Sequence, residues 1–306
     1  MGQEAESAWN FEDFGKVLKD EPLAKHTTWK IGGPADWLVE PTSVEELENA
    51  MKWIQEENLP WRAIGRGSNL LVDDEGIEGV VIKFGTKLAN MENDNGIVTV
   101  EAGYPLVRLA TILSRDGYGG MEFAGGIPGS VGGAVFMNAG AHGSDMSKVL
   151  IEALILFPDG TMEWIPNEEM GFAYRTSRLQ SDKGICVAAR LKLEQGEKDV
   201  IFKEMQEYKE YRRETQPWAH PCAGSVFRNP LPDHAGELIE NLGLKGHVIG
   251  GAQISELHAN FIVNTGEAKA SDVLALIEKA RSSVKEAYGI ELETEVEIVN
   301  KRSADS

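Results

Sequence analysis

The sequence predicts a mixed α/β protein built around two glycine-rich loops, and three features carry that prediction. Segments of helical spacing alternate with short apolar runs of strand type along most of the 306 residues. Residues 124–143, AGGIPGSVGGAVFMNAGAHG, place glycine at 125, 126, 129, 132, 133, 140 and 143. A second loop, GRGSN at 65–69, lies between the apolar runs Trp61–Ile64 and Leu70–Val72. Glycine loses more conformational freedom on folding than any other residue, so a run this dense implies positive φ angles or backbone held close to a bulky guest. Bare backbone amides in such loops suit a phosphate or a flat ring, tight structural turns being the alternative.

The elements follow in order. Ser43 with Glu46 is a capping-box pattern ahead of Val44, Leu47, Ala50, Met51 and Ile54, which predicts an amphipathic helix ending near Asn58 and Pro60. Strand-like runs come at Val80–Ile82 and Ile97–Ala102, and Pro105 opens a helix with Leu106, Leu109, Ala110 and Leu113 on one face, closed at Gly117. Leu150–Phe157 and Thr161–Ile165 flank Pro158-Asp159-Gly160, a hairpin signal, and Ile185–Leu193 alternates like a half-buried strand. The composition turns polar at 195–198, and a charged helix is expected from Asp199 to about Arg213, ended by Pro217 and Pro221. A helix from Ser271 to about Tyr288 carries Val273, Leu274, Ile277, Ala280, Val284 and Ala287 as its stripe, and Leu292–Val299 reads as a strand. The expected domains are an N-terminal extension over 1–22, weakly patterned; a two-lobed region over 23–196, split near 85; and a C-terminal domain over 197–306.

A formal charge of −19 argues against binding nucleic acid, whose affinity comes from clustered Lys and Arg. No run of 18 apolar residues predicts a membrane span, and the acidic start MGQEAESAWNFEDF has no signal core, so a cytoplasmic protein is expected. Cys186 and Cys222 are expected as reduced thiols, Cys186 in the core and Cys222 near a site; no Cys or His spacing predicts a metal. The P-loop string G-x-x-x-x-G-K-[ST] is missing, and Gly65-x-Gly67 is followed by Leu70, so the dinucleotide fingerprint fails as well. Two separated loops suit a large ligand held across a crease between two small lobes.

TTWKIGGPAD at 27–36, GRGSN at 65–69, GIPGSVGGAVFMNAGAHG at 126–143, YRTS at 174–177, CAGSVFRNP at 222–230 and ETEVEIV at 293–299 occur in an order that resembles the UDP-N-acetylenolpyruvoylglucosamine reductase family, from Leu23 to about Asn300. The resemblance is to the shorter form of that family, since the segment after Tyr174 is too brief for the longer form's insertion. It implies an α+β fold: a two-lobed FAD-binding region of the vanillyl-alcohol-oxidase/PCMH type and a C-terminal α/β substrate domain. It also implies noncovalent FAD, NADPH as hydride donor, and small-molecule substrates without an obligate protein partner. Gly65, Arg66, Gly67, Ser68 and Asn69, with Ile127, Pro128, Gly129, Ser130, Gly132 and Gly133, would wrap the FAD pyrophosphate, and Asn138 would approach the flavin or its ribityl chain.

Reducing an enol ether conjugated to a carboxylate needs a hydride, a fixed cation where negative charge builds, and a proton for the carbanion. Arg175 is the expected cation, its planar fork suited to a carboxylate; taken alone it reads more readily as a solvated or structural ion pair. By the resemblance Ser225 is the proton donor and Glu295 a carboxylic acid whose pKa burial would raise, although Ser225 alone reads as a turn residue. By parity Glu291, Glu293, Glu295 and Glu297 would share one strand face, a solvated acidic face being the alternative. Tyr174, Arg178, Arg228, Asn229 and His258 are expected to meet substrate, with Lys245 and Asn260 as further candidates; Trp164 and Trp218 are expected to pack. Another flavin-dependent oxidoreductase of the same superfamily and a noncatalytic nucleotide-binding regulator are the competing readings.

Overall fold

The computed structural model describes residues 9–301, so the acidic stretch at 1–8 lies outside the described residues. The first lobe comprises β1 (Lys16–Pro22), β2 (Pro34–Glu40), α1 (Val44–Glu56), β3 (Trp61–Ile64), β4 (Leu70–Val72) and β5 (Ile77–Lys83). Its sheet runs β1-β2-β5-β3, with β1 antiparallel to β2 and both β2 and β3 parallel to β5. The helix cap forms as the sequence predicts: Ser43 Oγ accepts from the Glu46 N–H at 3.1 Å, while the Glu46 carboxylate reaches back to the Thr42 N–H at 2.6 Å, one residue earlier than a capping box requires. The apolar face of α1, with Leu47, Met51 and Ile54, is buried with Phe14, Val80 and Ile82 of its own lobe and with Leu156, Ile185 and Val187 of the next sheet. The helix is thus the filling between the two lobes. Residues 16–22 correct the expected extension: β1 is the edge strand of the sheet, and Phe14 ahead of it is buried.

The second lobe contains β6 (Met91–Asp94), β7 (Ile97–Glu101), α2 (Leu106–Arg115), β8 (Tyr118–Gly119), α3 (Val131–Phe136), β9 (Gly140–Ala141), β10 (Ser144–Asp145), β11 (Leu150–Leu156), β12 (Met162–Pro166), the single turn α4 (Leu179–Asp182), β13 (Ile185–Lys192), β14 (Glu194–Gln195) and α5 (Lys198–Thr215). Its main sheet, β12-β11-β13-β7-β6, is antiparallel throughout. Leu106, Leu109 and Leu113 of α2 and Val131 and Val135 of α3 share a core with Val98, Val100, Ala189 and Leu191 of the sheet. Helix α3 lies tight on this lobe because Gly132 has no side chain: a Cβ there would stand 2.8 Å from the Cβ of Ala102. The polar break at 195–198 does not end the lobe. Met205 and Arg212 of α5 press against Gly125 and Gly126, where a Cβ would stand 2.7 Å from each side chain, so the chain leaves this lobe only after α5.

The C-terminal part holds α6 (Ala235–Asn241), β15 (Val248–Ile249), β16 (Ala252–Ile254), β17 (Ile262–Asn264), α7 (Ala270–Tyr288) and β18 (Glu297–Val299), with an antiparallel β15-β16-β17 sheet. Ile239, Ile254, Ile262, Val273, Ile277 and Val284 form its core together with Trp29 and Leu71 of the first lobe. The TTWKIGG segment anchors there: Trp29 Nε1 donates to the Ile262 carbonyl at 2.8 Å, and Asn264 Nδ2 donates to the Trp29 carbonyl at 3.0 Å. Along α7 the buried stripe includes Leu276, and Ala287 is exposed. Its cap comes from outside: the Asp74 carboxylate accepts from the Ala270 and Ser271 N–H groups at 2.7 and 3.1 Å. Only 297–299 of the predicted Leu292–Val299 strand is a strand, and it pairs in parallel with β4. Among the described residues, no helix is long and apolar enough to cross a membrane.

Candidate active site

The two glycine loops meet each other. A Cβ on Gly65 would overlap Ser130 Oγ, and one on Gly129 would face Ser68 Oγ at 3.6 Å. Gly67 adopts φ +62°, and a Cβ there would stand 2.5 Å from the His26 carbonyl oxygen, so any side chain is both strained and crowded. The backbone N–H groups of Arg66, Gly67, Ser68, Asn69, Gly129 and Ser130 meet no protein acceptor among the described residues. Unpaired main-chain donors converging from two loops call for an external acceptor, and a diphosphate fits that need. Ile127 contributes differently, its N–H being taken by the Ala124 carbonyl, and Ser130 Oγ accepts from Gly133 at the start of α3.

Beside these loops lies a cavity of about 600 Å³ lined by Tyr174, Arg175, Ser225, Asn229, His258 and Glu295 among others. Arg175 sits at φ +55°, a left-handed conformation unusual for a non-glycine residue, in a turn closed by reciprocal Ala173–Thr176 backbone bonds. Its Nε donates to Glu295 Oε1 at 2.7 Å and its Nη2 to the Gly140 carbonyl at 2.8 Å. Tyr174 donates to the other Glu295 oxygen at 3.5 Å, and burial together with the Glu295 charge holds its phenol above the usual range. Ser225 follows Gly224, which has φ +78° and open space where a Cβ would stand. The next residue, Val226, accepts from the Glu295 N–H at 2.8 Å, so the serine and the glutamate are laced together through their backbones. The Ser225 hydroxyl has no protein partner among the described residues and opens into the cavity.

An FAD binding domain model matches residues 35–166, and a model of the UDP-N-acetylenolpyruvoylglucosamine reductase C-terminal domain matches residues 216–299. A protein named UDP-N-acetylenolpyruvoylglucosamine reductase from Halalkalibacterium halodurans is 60% identical over 288 residues, 94% of this chain and 96% of that relative. One of the same name from Bacillus subtilis is 59% identical over 288 residues, 94% of this chain and 95% of its own. The chain belongs to the UDP-N-acetylenolpyruvoylglucosamine reductase family. The crystal structure of the reductase from Thermus caldophilus, 38% identical, superposes with a TM-score of 0.80 over 93% of this chain and 98% of that one. The fold class is therefore α+β with a two-lobed FAD-binding region of the expected type and a C-terminal α/β domain, and FAD is the cofactor of the family region that carries the glycine loops. The C-terminal family match begins at 216, where α5 has just ended, and not at 197.

Several expected reductase residues serve other ends in this fold. Asn138, expected at the flavin, is buried with both ends of its amide used: Nδ2 donates to the Ala173 carbonyl at 3.0 Å and Oδ1 accepts from the Ser147 N–H at 3.0 Å. It fastens the turn that carries Arg175. Arg178, expected at substrate, is instead held by Asp182 at 2.7 Å and by Glu169, and it does not line the cavity. Lys245 pairs with Glu240 at 2.6 Å, and Asn260 spends its side chain on the Phe227 N–H and carbonyl. Arg228 lies outside the cavity wall, although its charge reaches Tyr174. His258 lines the cavity, where burial and then the Lys245 charge push its imidazole below the usual range.

The glutamate series does not share a face, because 292–296 is irregular. Glu297 pairs with Arg62, Glu291 pairs with Lys285 at the surface, and only Glu295 meets Arg175, so it stands in an ion pair and not as an isolated acid. Trp218 is 58% exposed, against the expectation that it packs. Both cysteines are free: Cys186 is buried in β13, where burial pushes its thiol up to about 12, and half-buried Cys222 does not line the cavity. Among the described residues, no group of three or more His, Cys, Asp or Glu is placed to hold a metal. Sequence reasoning missed Arg212, whose guanidinium burial, with the nearby Arg175 charge, pulls down to about 10. Its hydrogen bonds go to Gln216, and it has no carboxylate partner among the described residues. The signal was helical spacing from buried Ile201 and Met205, which puts Arg212 on the inner face of α5.

Proposed function

We propose that the protein reduces the enolpyruvyl group of UDP-N-acetylglucosamine enolpyruvate to give UDP-N-acetylmuramate, a peptidoglycan precursor, with NADPH as reductant. The observation that carries this is the convergence of Arg175, Glu295 and Ser225 on one cavity beside two loops of unpaired amides. FAD, held noncovalently, would supply the hydride, with NADPH as the source of its electrons. The amides of 66–69 and 129–130 hold the cofactor's diphosphate. Arg175 receives the substrate carboxylate and bears the charge that grows there as the double bond takes up hydride. Glu295, already bound to Arg175 and Tyr174, fixes the guanidinium fork and the carboxylate against each other. Ser225 gives its proton to the carbon that becomes carbanionic, so hydride and proton together saturate the bond. Asn229 and His258 on the cavity wall meet the nucleotide, and Arg228, outside that wall, adds only its charge. The substrates are small molecules, and the enzyme works in the cytoplasm without an obligate protein, nucleic-acid or membrane partner.

Anaerobic titration tests this. The purified protein should be yellow, bleach on adding NADPH, and recover its colour when the enolpyruvyl sugar nucleotide is added. A protein that bleaches but does not recover with that substrate acts on something else, and a colourless protein that turns the substrate over without flavin refutes the mechanism.

A further inference from the structure

Asn69 belongs to the GRGSN loop, yet its side-chain amide leaves that loop. Nδ2 donates to the Glu295 carbonyl at 3.1 Å and touches Met137 Sδ at 3.7 Å, while the Asn69 carbonyl accepts from the Glu297 N–H at 2.9 Å. The parallel pairing of β4 with β18 begins at the next residue, Leu70 opposite Glu297. One residue earlier, Ser68 faces Gly129 of the other glycine loop. The Glu295 peptide is thus held from two sides, its N–H by Val226 and its carbonyl by Asn69, with no other donor to that carbonyl among the described residues.

We infer that Asn69 is a positioning residue that couples the cofactor loops to the substrate site. Resting on the reading above, the inference gives the Asn69 amide a task apart from holding cofactor: it fixes the 295–296 peptide, and with it the direction of the Glu295 carboxylate against Arg175. Closing the GRGSN loop on a diphosphate orders Asn69 and so orders Glu295, and a ligand drawn against Arg175 and Glu295 returns the effect to the loop. Coupling between two binding events is reciprocal by thermodynamic necessity. Removing the amide leaves a carbonyl unpaired and lets the carboxylate drift, and misplacement of about 1 Å can cost on the order of 10²-fold in rate.

The test takes wild-type and Asn69→Ala holoenzymes through the two anaerobic half-reactions separately, bleaching by NADPH and recovery with the enolpyruvyl sugar nucleotide. It also measures FAD affinity of the flavin-free proteins with and without UDP-N-acetylmuramate. With both proteins saturated in FAD, recovery should slow at least about tenfold more than bleaching does. The product should tighten FAD binding about fivefold or more in wild type and by less than about twofold in the variant. Equal slowing of both half-reactions, a wild type without coupling, or a variant with undiminished coupling overturns the inference. Asn69→Asp, isosteric but lacking the donor, carries the same readouts if the alanine variant does not fold. A wild type whose colour the substrate fails to restore refutes the proposed function instead, and is distinguished from failure of the coupling by product binding.

Discussion

Arg175 holds a left-handed backbone, a carboxylate partner and a backbone carbonyl at once, so its guanidinium is fixed before any ligand arrives. Lysine keeps the charge but not the fork, and Arg175→Lys should lower kcat with the enolpyruvyl substrate by about 10²–10³-fold, the loss typical of one preset donor, with NADPH bleaching retained in stopped-flow measurements. Two imidazoles, exposed His142 and half-buried His258, make a second prediction at this scale. His142 and His258 are both pushed below the usual range, first by burial and then by Arg212 and Lys245 respectively. The unfolded chain therefore binds more protons, so the stability these groups contribute is complete above about pH 6.5 and is lost as pH falls. His258→Asn should flatten the drop in Tm between about pH 7 and 5, read by calorimetry. Tyr174, Arg175, Ser225 and Asn229 were legible as candidates for one cavity because they stand in the strings YRTS and CAGSVFRNP, and all four line it. The duties of Asn138 and Arg178 were not, because a hydrogen-bond partner 35 residues away, or an acid four residues on, is settled by tertiary placement.

Elements with local causes read truly. Helix α1 is one such element, because its cap and its 3.6-residue spacing lie within the same fourteen residues, 43–56. The segment after Glu291 is the contrary case. Its alternation resembles a strand, but only 297–299 finds a partner, β4, from the other end of the chain, while Phe227 forms a single bridge to Thr294. The turn around Arg175 depends on the segment after α3 in the same nonlocal way: Asn138 holds Ala173, the Phe136 carbonyl accepts from Ser177, and Gly140 accepts from Arg175. Asn138→Ala removes two hydrogen bonds, to the Ala173 carbonyl and from the Ser147 N–H, whose other partners Thr176 and Asp145 remain, and should lower stability by about 1–3 kcal/mol. It should also raise KM for the enolpyruvyl substrate more than KM for NADPH, which steady-state kinetics on both substrates will show.

For the whole molecule, the three parts are joined by chain segments that cross between them, and composition alone misplaced the seam. The polar residues at 195–198 are the exposed junction of β14 with α5, and α5 buries Ile201 and Met205 against the second lobe. A highly charged helix with a narrow buried stripe looks like a linker in composition and like a packed element only in three dimensions. Asp74 is a reciprocal case, a first-lobe carboxylate capping a C-terminal helix. Asp74→Ala should cost about 1 kcal/mol, as a lost cap does, and should raise amide exchange at the start of α7 before it affects the first-lobe sheet.

The last ordered strand, β18, is laid down beside β4 from 297–299, and the Lys301 carbonyl accepts from the Glu78 N–H. A ribosome adding roughly 10 residues per second would expose β4 some twenty seconds before its partner exists. The first lobe therefore waits, incomplete, for residues made long after its own strands. Nascent chains stalled before residue 297 should be readily degraded, and a stop codon at position 295 should yield a protein unable to retain its yellow colour.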